Sequence, residues 1–330
     1  MITSFVFVMM LVIEYLNVFT KGDWERKIRA HKWGQYFLTS FLGATPGCLG
    51  AFAVVSLYAH RVITIGALAA AMIATSGDES FVMLALFPGK ALLIFAVLFG
   101  IGIISGIVVD IFFGWQKMQL RGTDICMALH DDEKCVCFPK GRILDQWRNC
   151  SAHRGVLVLF LVLFLFGILS GEVGPNTWNW IRVTLLLSAG VGLFIVSTVP
   201  DHFLEKHLWE HIAKKHIWKI FLWTAGALLV THILLNHFHL EEWIKGSNFT
   251  LLIIACLIGI IPESGPHLIF VTLYAAGAIP FSILLASSIV QDGHGMLPML
   301  AYSRRGFVAV KIINVIIGFI FGLTGYLMGW

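Results

Sequence analysis

The sequence is poor in charged residues, which make up only 13% of its 330 residues. Soluble domains usually contain roughly a quarter charged residues and about half apolar ones, whereas the hydrophobic fraction here is 58%. A water-soluble fold cannot bury this much apolar surface. The net charge of +4 is small and is concentrated in particular loops, which suits membrane orientation better than nucleic-acid binding.

Other signals are missing as well. No P-loop occurs, so ATP-driven transport would need another subunit. The first apolar stretch, residues 5–13, has no basic leader and no small-residue cleavage site, which predicts a retained helix. Of the six cysteines, four lie in a polar loop at 114–154 that is rich in Lys and Arg. The positive-inside rule places that loop in the reducing cytoplasm, so we expect a multi-pass protein integral to the cytoplasmic (inner) membrane, with free thiols.

Long apolar runs are what the chain has in abundance. Residues 91–113, 155–169, 183–199 and 311–328 are each about as long as a helix that crosses roughly 30 Å of hydrocarbon. About ten such segments occupy nearly the whole chain. We therefore expect an all-α polytopic membrane protein, with residues 1–330 as a single membrane domain and no separate soluble catalytic domain.

The chain also contains an internal repeat. The segment that starts at Phe41 aligns with the segment that starts at Leu257 at a constant offset of 216 residues, without a gap. The matched pairs include Gly43 with Gly259, Pro46 with Pro262, Tyr58 with Tyr274, Gly77 with Gly293, Gly102 with Gly318, and Gly106 with Gly322. Chance similarity of apolar segments is the alternative, although prolines and tyrosines at matching places are not compositional filler. The predicted organisation is repeat one at about 35–113, a cytoplasmic loop at 114–154, connecting helices at 155–248 and repeat two at about 249–330.

Loop charge predicts the orientation of the two copies. If the basic loops at 21–32, 115–154 and 201–219 are cytoplasmic, the chain between the first two must cross the bilayer an even number of times, although three apolar segments lie there. The number of crossings is even if the segment around Pro46 enters the bilayer and returns as a hairpin. The segment around Pro262 is expected to do the same. We expect two inverted-topology repeats with Pro/Gly-broken or re-entrant helices. Ten simple crossings with parallel copies are the alternative.

Polar residues interrupt the apolar segments at matching places in both copies. Irregular backbone within a bilayer is tolerated only where it is buried in protein or lines a wet cavity, and ionisable groups there are usually functional. The predicted helix-break residues are Pro46, Gly47, Gly77, Pro262, Gly265 and Gly293. The predicted ion-binding residues are Thr45, Cys48, Asp78, Glu79, Glu263, Ser264, His267, Gln291, Asp292 and His294. Ordinary loops at the water interface are the alternative for the acids and histidines.

The mixture of oxygen and imidazole donors suits a divalent first-row metal such as Mn²⁺, Fe²⁺ or Zn²⁺. We predict that Glu263, His267, Asp292 and His294 are its ligands. A buried carboxylate can also carry a proton, which would provide antiport coupling. We expect no resident cofactor besides the transported metal.

A histidine-rich segment at 202–216 contains the pattern H-x-x-E-H, which also occurs in metalloproteases. A membrane-embedded metalloenzyme that uses His207 and His211 is one interpretation. An amphipathic helix at the membrane surface, anchored by Trp209 and Trp218, is the favoured one. We therefore predict no enzymatic activity.

Three stretches, GATPGCLG, GIIPESGPHLIF and SSIVQDGHGMLPMLAYSRRGF, resemble the ten-transmembrane heavy-metal exporter family. Its members are relatives of arsenic-permease-like proteins and are also labelled manganese transporters. The resemblance covers nearly the whole chain, is most specific from Pro262 to Arg305, and implies efflux of a metal or metalloid. Arsenic-type permeases are similar in having a cysteine after the proline, but here only Cys48 is present and the second copy has Ser264. This departure favours a hard or borderline cation.

The sequence thus predicts a secondary transporter that exports a divalent, Mn-like cation, with coupling to protons. Its expected partners are the lipid bilayer and a small ion or solute, and homo-oligomerisation is left open. A permease for an oxyanion or small organic anion, bound by half-helix N-termini and Arg304 or Arg305, is the alternative.

Overall fold

The computed structural model of the protein describes residues 23–113, 151–173, 177–178, 180–199, 248–263 and 265–329, with isolated positions between 8 and 15 and between 201 and 229. Every regular element of the described residues is helical, which confirms the all-α prediction.

The chain forms two compact units, Met1–Lys27 with Cys126–Phe221 and Ile28–Ile125 with Leu222–Trp330. The helices are α1 (Asp23–Ala30), α2 (Lys32–Ala44), α3 (Leu49–Ala59), α4 (Ile65–Ala74), α5 (Glu79–Leu86), α6 (Pro88–Phe113), α7 (Ala152–Ser170), α8 (Trp180–Thr198), α9 (Asn248–Ile258), α10 (Leu268–Ala275), α11 (Phe281–Val290), α12 (Met299–Tyr302) and α13 (Arg304–Leu327), with a 3₁₀ turn at Gly293–Met296.

The second unit contains the same series of helices twice. Helices α2, α4 and α6 begin at residues 32, 65 and 88, and α9, α11 and α13 begin 216 residues later in each case. Left-handed backbone recurs at the same spacing, because Gly77 has φ 52° and Gly293 has φ 50°, while Arg61 has φ 59° and Gly277 has φ 71°. The sequence repeat therefore marks a repeat of helix order and of turn conformation.

Contacts between the two series are reciprocal. Helix α3 packs on the 3₁₀ turn and α12, and its counterpart α10 packs on α5. Helix α4 contacts α13, its counterpart α11 contacts α6, and α4 and α11 contact each other. Contacts that are reciprocal in this way resemble those of an isologous dimer, in which a two-fold axis relates the two copies.

Close helix contacts within each copy depend on small residues. A Cβ added at Gly102 of α6 would lie 2.6 Å from the Ala70 carbonyl oxygen of α4, and one added at Gly318 of α13 would lie 3.1 Å from the Ala286 carbonyl oxygen of α11. Small residues let helix backbones approach each other in membrane proteins. The equivalent glycines hold the equivalent helix pair together in both copies.

The outward faces are apolar and the interior is partly polar. Ile104, Phe112 and Leu163 are 61%, 81% and 59% exposed, whereas Glu79, Gln291 and Asp292 are at most 1% exposed. Among the described residues, three helical stretches are long and apolar enough to span a bilayer, namely Ile65–Leu86, Pro88–Phe112 and Arg304–Leu327. This inside-out distribution is that of a protein whose outer solvent is lipid.

The described part of the first unit contains a pair of helices, α7 and α8, that one arginine holds together. Ser151 caps α7 by accepting a hydrogen bond from the Arg154 backbone amide, and Gly171 ends the helix with φ 86°. The buried Arg154 guanidinium donates to Asp201 Oδ1 over 2.9 Å and to the Val199 carbonyl over 2.6 Å. It therefore satisfies the end of α8, where helix carbonyls lack intrahelical partners.

We predict that Gly102→Ala lowers the apparent Tm of the detergent-solubilised protein. The new methyl group must push α4 and α6 apart, and such overpacking typically costs about 1–3 kcal/mol. Gly100→Ala, in the same helix, is the matched control, because a Cβ there meets nothing within 4 Å. Equal melting temperatures for the two variants would contradict the assigned helix contact.

Candidate metal centre at the helix breaks

The breaks arise where helices α4 and α11 stop inside the protein. Their C-terminal caps, Thr75 and Gln291, are both extended, with ψ 134° and 139°. Gly77 and Gly293 follow two residues later in left-handed backbone, which glycine adopts with little strain. The Gly77 carbonyl accepts a hydrogen bond from the Gly47 amide over 3.0 Å, so the proline-containing break of copy one is tied to its second break.

The two later breaks touch at equivalent positions. Gln291 Nε2 donates to the Thr75 carbonyl oxygen over 3.4 Å, and the two residues are 216 apart in the chain. The contact therefore joins equivalent positions of the two copies. We refer to Thr75, Ser76, Gln291 and Asp292 as the crossing.

Three metal-ligating side chains converge beside the crossing. Cys48, Asp78 and His294 each offer one ligand atom, and these atoms all lie within 4.8 Å of one another. The Cys48 thiol donates to Asp78 Oδ1 over 3.3 Å, and the His294 backbone amide hydrogen-bonds to the same sulfur. Asp78 and His294 are themselves equivalent positions of the repeat. Each copy thus supplies one of these two unlike donors.

The arrangement suits a small divalent cation. A tetrahedral ion with bonds of roughly 2.0–2.3 Å holds its ligands roughly 3.5 Å apart. The 4.8 Å limit exceeds that spacing by little more than 1 Å, and Cys48 Sγ and Asp78 Oδ1 are already 3.3 Å apart. All three residues are half-buried, whereas the neighbouring Glu79, Gln291 and Asp292 are buried. Sulfur, nitrogen and oxygen donors together select borderline metals.

Glu263 and His267, two of the four predicted metal ligands, follow the proline of copy two. The Glu263 carboxylate is half-buried and interacts electrostatically with His294. His267 is fully buried, and its Nε2 lies 3.3 Å from the Ile261 carbonyl oxygen. Its Nδ1 has no hydrogen-bond partner. Glu263 is therefore close to the three-residue cluster, whereas His267 faces the end of its own break.

Asp292, another predicted ligand, is held by a lysine. Lys311 Nζ of α13 lies 2.6 Å from Asp292 Oδ1 and donates to the Gly259 carbonyl oxygen over 2.9 Å. Both side chains are buried. Of the four predicted metal ligands, only His294 belongs to the cluster, which includes Cys48 and Asp78 instead of the other three.

The remaining predicted ion-binding residues are not members of the three-residue cluster. Glu79 is 1% exposed and its Oε1 has no hydrogen-bond partner, while the Thr45 hydroxyl donates to the Leu42 carbonyl of its own helix. Ser264 lies outside the described residues, as do His207 and His211 of the histidine-rich segment.

The prediction missed Lys311. It stands at the start of an apolar run, where a lysine usually extends to the membrane surface. The available signal was an ionisable residue inside a continuous helix-forming segment, which is a reason to look for a buried partner.

A lipid-facing apolar exterior, breaks inside the helix bundle and a sheltered group of metal ligands define an integral membrane protein of the transporter class. The family model described as "Putative, 10TM heavy-metal exporter" matches residues 1–328. The chain belongs to this family, which confirms the resemblance seen in the sequence. Neither a curated protein nor a solved structure gave a match.

We predict that Co²⁺, added to the purified protein as a spectroscopic probe, gives a thiolate-to-metal absorption band that Cys48→Ser removes, because a hydroxyl replaces the sulfur donor. Cys256→Ser is the matched control, since Cys256 is the other free cysteine among the described residues and packs in an apolar cluster. A band that survives Cys48→Ser would place the metal at another cysteine.

We predict that Lys311→Met destabilises the protein strongly, because removing one partner of a buried ion pair typically costs about 3–5 kcal/mol. Adding Asp292→Asn should restore much of the thermal stability, since no buried charge is then left unpaired. The measurement is the apparent Tm of the two single variants and of the double variant. Additive losses in the double variant would show that the pair is not coupled.

Proposed function

We propose that this protein is a secondary transporter that exports a divalent metal ion across the cytoplasmic membrane. The single observation that carries the proposal is the convergence of Cys48, Asp78 and His294. These residues come from three different breaks and from both copies of the repeat. Membership of a heavy-metal exporter family supports export as the direction of transport and a metal ion as the cargo.

The donor set bears on which metal is carried. Carboxylate and water ligands suit Mn²⁺, whereas a thiolate beside an imidazole favours Zn²⁺, Co²⁺ or Fe²⁺. Cys48 therefore moves the preference from the Mn-like cargo expected from sequence toward the borderline metals. Glu263, next to His294, supplies a fourth ligand when the ion is bound.

An anion cargo is the competing proposal, and the charges at the breaks disfavour it. The buried ammonium of Lys311 is already bonded to Asp292 and to a backbone carbonyl. The side chains around His294 that interact with it electrostatically are carboxylates, Asp78 and Glu263. A site with this balance attracts cations.

Transport requires the site to face each side of the membrane in turn. We propose that the copies have inverted topology, that their proline breaks are re-entrant, and that one copy moves against the other around the ion. The reciprocal contacts between the copies support this proposal, and so does the parity of the basic loops. A proton gradient is the proposed driving force, because carboxylates line the site.

The test is a flux assay in proteoliposomes with Zn²⁺, Co²⁺, Mn²⁺, Cd²⁺, arsenite and arsenate, with and without a pH gradient. We predict that Zn²⁺ or Co²⁺ moves fastest and that Asp78→Asn, His294→Ala and Glu263→Gln each reduce flux at least about tenfold, because each loses a ligand.

Cys256→Ser is the control for protein handling and should transport normally. Oxyanion flux that is insensitive to chelators and survives Asp78→Asn would replace metal export with the anion permease. Metal flux that is unchanged by a pH gradient would remove protons from the mechanism and leave the metal site in place.

A further inference from the structure

Lys311 joins two segments of copy two that are far apart in the sequence. Its Nζ donates to the Gly259 carbonyl oxygen over 2.9 Å and lies 2.6 Å from Asp292 Oδ1. Gly259 directly follows helix α9, and the carbonyls at the end of a helix lack intrahelical partners. Both charged residues are buried. One ammonium group therefore holds the end of α9 beside the later break of the same copy.

Each bonded segment carries a ligand of the metal centre a few residues further on. Asp292 is the N-cap residue of the 3₁₀ turn, and His294 lies within that turn. Gly259 precedes Glu263 by four residues, and the backbone between them is tightly turned, with the Glu263 amide donating to the Ile261 carbonyl over 2.9 Å. Bonds at Asp292 and at the Gly259 carbonyl therefore restrict where the two ligands can lie.

Copy one connects its two breaks in a different way. There the Gly47 amide donates directly to the Gly77 carbonyl over 3.0 Å. The residue of copy two that corresponds to Gly47 is Glu263, but its amide donates to the Ile261 carbonyl instead. Copy two thus joins its breaks through the side chain of Lys311, where copy one uses a backbone hydrogen bond.

The turn that carries His294 also contacts copy one closely. A Cβ added at Gly295 would lie 2.6 Å from the Cβ of Ala51. Ala51 belongs to the first turn of helix α3, whose N-cap residue is the metal ligand Cys48. The turn is therefore in contact with copy one at Gly295 and bonded to the buried ammonium at Asp292, with His294 between these two positions.

We propose that Lys311 is a positioning residue of the metal centre, which fixes the copy-two segments that carry Glu263 and His294. A lysine ammonium has three hydrogens, so one nitrogen can bond to both segments and set the spacing between them. Residues that orient metal ligands in this way typically contribute about tenfold to 100-fold in metal affinity. This inference rests on the proposed function, because it requires the metal centre.

The test is Co²⁺ binding to the purified protein in which Lys311→Met is combined with Asp292→Asn, so that no buried charge is left unpaired. We expect this double variant to keep much of its thermal stability but to bind Co²⁺ about tenfold to 100-fold more weakly. At saturating Co²⁺ the thiolate-to-metal band should persist, because Cys48 belongs to copy one. The visible ligand-field bands should change, since they depend on the number and geometry of the ligands. Unchanged affinity and unchanged bands overturn the positioning role.

Asp110→Asn is the matched control for a loss of stability alone. The buried Asp110 carboxylate accepts hydrogen bonds from the Tyr36 hydroxyl over 2.7 Å and from the Gly66 amide over 2.9 Å. These bonds lie at the N-terminal end of α4, whereas the break follows its C-terminal end, roughly 15 Å away for a helix of this length. The control should lower the apparent Tm and leave Co²⁺ affinity unchanged. Equal weakening in the control and in the double variant overturns the proposal.

A second measurement asks whether Lys311 acts through the copy-two ligand. We expect His294→Ala to cost at least about tenfold in Co²⁺ affinity in the unsubstituted protein and clearly less in the double variant, because coupled residues are not additive. Cys48→Ser should cost the same in both backgrounds. Equal costs of His294→Ala in the two backgrounds overturn the proposal.

The outcomes separate this inference from the proposed function. Absence of Co²⁺ binding to the unsubstituted protein overturns the metal centre, and the positioning role with it. Binding that the double variant retains at full strength overturns only the role of Lys311. If the double variant does not fold, Lys311→Arg decides the result, because arginine keeps the charge but its longer, planar group alters the spacing of the bonded segments. Weaker binding with shifted bands then supports the proposal, and unchanged binding and bands overturn it.

Discussion

The second unit depends on one constraint, which is that the helix breaks of its two copies contact each other. The hydrogen bond between Gln291 and the Thr75 carbonyl is that contact. Backbone that leaves the helix inside a bilayer must be enclosed by protein, since lipid offers it no partners. The later break of each copy contacts the later break of the other copy. The polar residues at this contact, Gln291 and Asp292 among them, are buried.

Sequence alone was sufficient to predict helices, a repeat of constant offset and the residues at which the helices break. The glycines at 77 and 293 and the prolines at 46 and 262 carry that information locally, because they restrict the backbone wherever they occur. The grouping of side chains was not predictable in the same way. The predicted metal ligands all came from copy two, whereas the observed cluster takes Cys48 and Asp78 from copy one. Which break faces which is decided by packing between distant segments.

The backbone repeats more closely between the two copies than the charged side chains do. Helix starts, left-handed turns and close glycine contacts recur at equivalent places. The charged residues do not: Asp78 corresponds to His294, and the counterpart of Lys311 is Phe95. Backbone geometry is under the same physical demand in both copies, whereas a mixed set of donors requires different side chains at equivalent positions.

The reciprocal contacts have an evolutionary consequence. A half-length chain with one copy of this fold would satisfy them by pairing with an identical chain, as isologous dimers do. Such a homodimer could place only matching donors at its axis, two carboxylates or two imidazoles. Fusion of duplicated halves into one polypeptide removes that restriction. A carboxylate can then lie beside an imidazole, as Asp78 and His294 do, so fusion of duplicated halves would allow a mixed pair of donors where a homodimer has a matching pair.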